Sequence, residues 1–179
     1  MTDRVVTIGG PPGSGKSTAG RGLAAALGLE FVSAGELFRA EAKRRGISLA
    51  ELGTLAEHDP SIDLGLDDEM VRLAAPTRLL DGRLTGPLLR RRGLPNRYIV
   101  VTADETTRWE RLANRDGGTV EDVGRLTKAR EASERARYLR YYGIDLERET
   151  PDLKVDSTHA PPSEVVRTIV AFLGAPGAP

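Results

Sequence analysis

The sequence predicts an α/β fold, a five-stranded parallel sheet with helices on both faces, and three observations predict it. Short β-rich runs alternate with longer stretches of helical period, the pattern of buried strands linked by crossover helices. A glycine-rich segment ending in Lys-Ser joins the first such run to the first helical one. The 179 residues, 39% hydrophobic and 29% charged, suffice for one core without cross-links, and there is no Cys to supply any.

The five strand runs are Val5–Gly9, Glu30–Ser33, Arg78–Asp81, Arg97–Thr102 and Leu153–Asp156. Apolar residues recur at three and four in Thr18–Leu27, Glu36–Arg45, Leu49–Glu57, Leu66–Leu73, Thr106–Arg115, Val120–Tyr142 and Ser163–Leu173, which therefore read as helices. Ser48-Leu49-Ala50-Glu51 has the form of a capping box, and Pro162-Ser163 is a start signal for the last helix. Between the second and third strands three helical patterns, broken at Gly46 and Pro60, form a helical insertion. A second excursion follows the fourth strand, with Asp116-Gly117-Gly118 as a flexible joint. The last residues, from Gly174 to Pro179, are rich in Gly and Pro and are expected to form a loose tail.

Composition excludes several functions. Without Cys, a zinc finger, an iron–sulfur site and a thiol nucleophile are ruled out. Lys+Arg and Asp+Glu both number 26, so bulk charge gives no reason to expect nucleic acid or an anionic membrane as partner. No apolar stretch approaches the roughly 18 residues that span a bilayer, and a cytoplasmic protein is expected. Of the 26 basic residues 22 are Arg, which fits either a GC-rich genome or a need for forked phosphate donors.

The segment Gly10, Pro11, Pro12, Gly13, Ser14, Gly15, Lys16, Ser17 matches G-x-x-x-x-G-K-[ST] in full, after a strand run and before a helical one. Its glycines let backbone N–H groups turn inward around phosphate, and the following helix presents its positive end. Lys16 is placed to reach the β- and γ-phosphates of ATP and the Ser17 hydroxyl to ligate Mg²⁺. The motif serves kinases, switch GTPases and motor ATPases alike. A guanine-reading Asn-Lys-x-Asp sequence is absent and the chain is short for a motor, so a kinase leads.

The acceptor side is read from the ends of the second and third strands, where ligands bind in open α/β sheets. Ser33-Ala34-Gly35 makes a small-residue turn, with Arg39 one helical turn on to hold an acceptor phosphate. Asp81-Gly82-Arg83 offers a carboxylate suited to Mg²⁺ or its water, a Gly for close approach and a second guanidinium. His58 and His159 are isolated and read as surface residues, Tyr138, Tyr141 and Tyr142 as packing, and Arg90-Arg91-Arg92 as a solvated turn.

Together the stretches Gly10 to Thr18, Ser33 to Arg39, Asp81 to Gly86, Arg130-Glu131-Ala132-Ser133-Glu134-Arg135 and Tyr141-Tyr142-Gly143-Ile144-Asp145 resemble the nucleoside monophosphate kinases, most closely the archaeal-type cytidylate kinase family. The resemblance runs from Val5 to about Leu173. It implies a P-loop kinase fold, a single domain over 1–173 with an acceptor-binding insertion at about 36–75, a helical lid at about 115–137 and a tail at 174–179. It also implies ATP as donor, Mg²⁺ as cofactor, and CMP or dCMP as acceptor.

By the same resemblance Thr18 and Arg111 join the ATP site, and Arg115, Arg130 and Arg137 join Lys16 and Arg83 as catalytic residues. Ser33, Gly35, Arg39, Asp81, Gly82 and Arg83 line the acceptor site. In bacterial cytidylate kinases a similar pair of arginines brackets an Asp, where this chain has Glu134. A monomer is expected. Adenylate kinase or another small-metabolite kinase is the alternative within the class. A nucleotide-binding regulatory protein without an acceptor is the alternative outside it.

Overall fold

The computed structural model describes residues 4–174. Five strands, β1 (Val5–Gly9), β2 (Glu30–Ser33), β3 (Arg78–Asp81), β4 (Asn96–Thr102) and β5 (Leu153–Asp156), form one sheet in the order β2-β3-β1-β4-β5. Every neighbouring pair is parallel. The helices are α1 (Lys16–Leu27), α2 (Ala34–Arg45), α3 (Leu49–His58), α4 (Pro60–Arg72), α5 (Thr85–Arg91), α6 (Glu105–Asp116), α7 (Val120–Tyr142) and α8 (Pro162–Leu173).

Strand alternation sorts the core into two layers. Val6, Ile8, Leu79 and Ile99 face α1 and α8 and meet Leu23, Val165 and Ile169. Val5 and Leu80 face the other way, onto Met70 of α4 and Leu89 of α5. Burying each such side chain stabilises the fold by about 1.5–3 kcal/mol. β1 is buried along its whole length because both its edges are paired and both its faces are covered. The loop that follows β1 is therefore anchored on a strand paired at both edges and covered on both faces.

All five predicted strands form, β4 starting one residue earlier than its sequence run. The Ser48–Glu51 capping box is present and Pro162 opens α8. Pro60, read as a breaker, is the first residue of α4, which begins six residues before the predicted pattern. No pattern in the sequence announces α5. Arg90 and Arg91 end this helix and Arg92 caps it, so the run read as a solvated turn is a helix end, still partly solvated, whose three arginines pair with Asp152, Glu149 and Asp68.

The stretch 115–137 covers the α6–α7 turn and most of α7, one unbroken helix of 23 residues. Its far end is fastened by a small apolar cluster in which Tyr138 and Tyr142 pack on Leu84, Leu88 and the fully buried Ile144. Gly143, in the left-handed region at φ 64°, stops the helix and returns the chain to that cluster. Of the tail, Gly174 caps α8, and residues 175–179 lie outside the described residues.

Candidate active site

The site is built where β1, β3 and β2 end side by side. After β1 the loop from Gly10 to Gly15 turns back over the sheet and delivers Lys16 as the first residue of α1. Gly10 has φ 138°, and a Cβ there would lie 2.0 Å from the Val101 carbonyl oxygen. Gly13 has φ 76°, and its Cβ would lie 2.4 Å from that of Arg108. Both backbone conformation and space therefore require glycine. The intervening Pro11 and Pro12 need no amide partners, and the Ser14 carbonyl accepts from Ser157 Oγ at 2.8 Å, tying the loop to the end of β5. Ser14 Oγ is buried with no partner.

Lys16 is pulled down to about 8 by burial. Asp81 opposes that shift, Arg83 adds to it, and Glu134 and Arg130 act in opposite senses more weakly. Ser17 Oγ donates to Asp81 Oδ2 at 2.7 Å, and Ser33 Oγ donates to the same oxygen at 3.1 Å. Asp81 is 2% exposed, and its other oxygen, Oδ1, is buried without a hydrogen-bond partner. A buried carboxylate oxygen with nothing to accept from is a costly feature, and beside a P-loop hydroxyl it fits a hydrated cation. The next residue, Gly82, donates its amide to the Ile8 carbonyl and holds the β3 end against β1.

The arginines fall into three groups. Arg83 Nη1 stands 2.7 Å from Glu134 Oε2, and Arg130 donates from Nε to Glu134 Oε1 at 2.7 Å, so two cations from different elements share one carboxylate. Arg137 lies on the same face of α7, but its Nε pairs with Asp63 of α4 at 2.8 Å, at an angle too oblique for a hydrogen bond. Arg111 binds the β5 end through Ser157 Oγ at 3.0 Å and the Ser157 carbonyl at 2.7 Å.

Arg115 is held by its neighbour Asp116 through two hydrogen bonds of 2.7 and 2.6 Å and is exposed. Arg111, Arg115, Gly15, Thr18, Ser157 and Pro162 line an open cavity of about 340 Å³ beside the loop. Arg39 stands apart from these groups. It is exposed on α2, next to Gly35, and has no acidic partner among the described residues.

Sequence reasoning missed Arg108, Glu131, Ser157 and the acidic pair Asp63 and Asp67. Arg108 is 5% exposed, donates to the Pro12 carbonyl at 3.2 Å and pairs with Glu131 of α7 at 2.7 Å. Its signal was a charge on the apolar face of its helix, four residues from Leu112. Ser157 was findable as a small polar residue just past a strand end. Asp63 and Asp67 are one turn apart on α4, and Tyr142 donates to Asp67 at 2.7 Å across from α7. His58 and His159 are exposed, as expected.

Residues 9–124 match the family model described as an AAA domain. Three relatives described as cytidylate kinase are similar over most of the chain. That of Methanothrix thermoacetophila is 41% identical over 79% of this chain and 81% of its own length. For Aeropyrum pernix the figures are 45%, 78% and 80%, and for Haloquadratum walsbyi 36%, 96% and 90%. Among solved structures, a shikimate kinase from Bacteroides thetaiotaomicron superposes with a TM-score of 0.63 at 12% identity, covering 96% of this chain and 99% of its own. A gluconokinase from Sinorhizobium meliloti gives 0.63 at 19% identity, covering 96% and 91%. At such identities the likeness is one of fold, that of the P-loop kinases.

Proposed function

This chain belongs to the cytidylate kinase family, and from that premise we propose that it transfers the γ-phosphoryl group of ATP to the phosphate of CMP or dCMP. The observation that carries the reading is the convergence of Lys16, the Ser17–Asp81 pair and the two guanidiniums on Glu134 at the ends of β1 and β3.

The acceptor phosphate is already an anion at neutral pH, so no general base is required. Catalysis reduces to positioning and charge neutralisation. The amides of Gly13 to Lys16 and the Lys16 ammonium hold the donor phosphates, and Arg111 and Arg115 line the cavity for the rest of the nucleotide. Arg39, Ser33 and Gly35 receive the acceptor phosphate. Arg83, Arg130 and Arg137 bring guanidiniums toward the transferred group, a planar fork that cannot lose its proton. Ser17 and Asp81 are the residues that would hold Mg²⁺, which supplies charge neutralisation on the phosphate oxygens.

The helices α2–α4 act as an acceptor-binding insertion and α7 as a lid, and closing them together excludes water that would compete as acceptor. A clamp of this size can act alone, and a monomer is the form this reading takes. The test is ADP release with ATP, Mg²⁺ and a panel of CMP, dCMP, UMP, AMP and GMP. The highest kcat/KM is expected for CMP or dCMP. A clear preference for AMP moves the reading to an adenylate kinase, and no turnover with any member overturns it.

A further inference from the structure

Glu134 is 7% exposed on α7 and is the most buried of the acids that pair with an arginine among the described residues. Arg130, one turn before it, donates to Oε1, and Tyr138, one turn after, donates to Oε2 at 3.3 Å. Arg83 reaches Oε2 from the other side of the cleft, from just past β3. Among the described residues Glu134 is the sole acidic partner of both Arg83 and Arg130. Burial pushes its carboxyl up, but Arg83, Arg130 and the hydrogen bond from Arg130 outweigh that, so the group lies below the usual carboxylate range and carries its charge.

A buried anion beside a phosphate site repels the substrates and costs desolvation, so it calls for a compensating role. The role is visible in what it joins. Arg83 is fixed to the sheet, whereas the Arg130 side chain is 65% exposed and nothing else described holds it. The two cations repel each other and would part without an anion between them. Each guanidinium has five N–H donors, so one contact to Glu134 leaves others for phosphate oxygens.

We propose that Glu134 is a positioning residue for phosphoryl transfer: it draws Arg130 of α7 and Arg83 of the β3 end onto one point beside Lys16, so that both face the transferred group together. The inference rests on the kinase reading above. Charge aimed at the transferring group acts in the transition state, so its loss appears in kcat and leaves KM nearly unchanged.

The experiment is steady-state kinetics with ATP and CMP for wild type, Glu134→Gln, Arg130→Ala and the double variant. Glu134→Gln is expected to lower kcat by about 10- to 100-fold with both KM values within about threefold. Because Arg83 is held just past β3 and Arg130 is the arginine that Glu134 moves, the double variant should be no more than about threefold below Arg130→Ala alone. A kcat within about twofold of wild type, losses that multiply in the double variant, or a change confined to KM each overturn the proposal. Glu134→Asp keeps the charge on a shorter arm, should give an intermediate kcat, and is judged by the same criterion if the glutamine variant does not fold. Wild-type inactivity with every monophosphate overturns the kinase reading and this proposal with it. Wild-type activity with an unimpaired Glu134→Gln overturns this proposal alone.

Discussion

Arg108 Nη1 lies 2.7 Å from Glu131 Oε1 and 3.2 Å from the Pro12 carbonyl oxygen, so one guanidinium braces α7 and the phosphate-binding loop at once. The Arg108 side chain is 6% exposed and Glu131 27%. Removing the acid strands a buried cation. Glu131→Ala is expected to cost about 1–3 kcal/mol, below the roughly 3–5 kcal/mol of a fully buried pair because Glu131 is partly solvated. For a chain of this size that is a fall in Tm of several degrees, about 2–4 °C per kcal/mol. The loop loses its brace as well, so KM for ATP should rise severalfold while KM for CMP holds. A thermal melt and two substrate titrations check this, and an unchanged Tm would show that the pair contributes nothing.

Lys16 opens α1 under the pull of Asp81 and Glu134 and the push of Arg83 and Arg130. Lys16→Ala removes the one ammonium at the loop and is expected to lower kcat at least about a hundredfold, the scale seen when an oriented charge is taken from a transition state. Retention of the α-helical circular dichroism signal would show that the loss is chemical. Near-normal turnover would mean that the donor phosphates lie elsewhere.

Arg39 is exposed and has no acidic partner among the described residues, and it sits in the second turn of α2, six residues past the Ser33 N-cap. Nothing in the fold needs its charge, so Arg39→Ala should leave stability within about 0.5 kcal/mol of wild type. It should raise KM for CMP by about tenfold or more and leave KM for ATP within twofold, as loss of a charge-assisted contact to one substrate does. If KM for ATP moves instead, the donor and acceptor subsites are exchanged.

These sites were legible to different degrees, and the differences have physical causes. The loop from Gly10 to Ser17 and the Asp81-Gly82-Arg83 turn carry local signals, because strand, turn and helix start are encoded within a few residues of one another. α5 was not legible because Thr85-Gly86-Pro87 reads as a break. Pro87 stands in the first turn, where no amide partner is needed, and a Cβ on Gly86 would lie 2.2 Å from the Tyr98 ring. That close approach belongs to the tertiary fold, and no local pattern announces it.

Arg130 and Arg137 share a helix face, as their spacing of seven requires; Arg130 meets Glu134 one turn on along the same helix, which spacing does foretell, whereas Arg137 meets Asp63 of α4. Spacing fixes which way a side chain leaves its helix and says nothing of the acid across the gap. The Tyr-Tyr-Gly-Ile stretch was legible as a family signature. Its physical content, a left-handed glycine returning a buried Ile144 beneath Tyr138 and Tyr142, came only from the fold.

Tyr142 of α7 donates to Asp67 Oδ2 of α4 at 2.7 Å, a direct link between the helix that follows the insertion's turn at Pro60 and the long helix opposite. Burial pushes the Asp67 carboxyl up to about 7. The Tyr142 hydrogen bond and Arg137 pull against that rise, and Asp63 and Asp68 on the same helix add to it. In the unfolded chain an Asp releases its proton near pH 4. Between about pH 4 and 7 the unfolded chain therefore binds fewer protons than the folded one at this position, and stability falls as pH rises through that window. Above about 7 both states are ionised and the loss is complete.

Asn in place of Asp67 still offers Tyr142 an acceptor and has no proton to lose. Asp67→Asn should thus gain on wild type as pH rises, by about 1–2 kcal/mol between pH 4.5 and 8, which for this chain is a relative Tm gain of about 3–6 °C. Melting both proteins at the two pH values checks it. An equal Tm difference at both would show that Asp67 ionises as freely in the folded protein as in the unfolded chain.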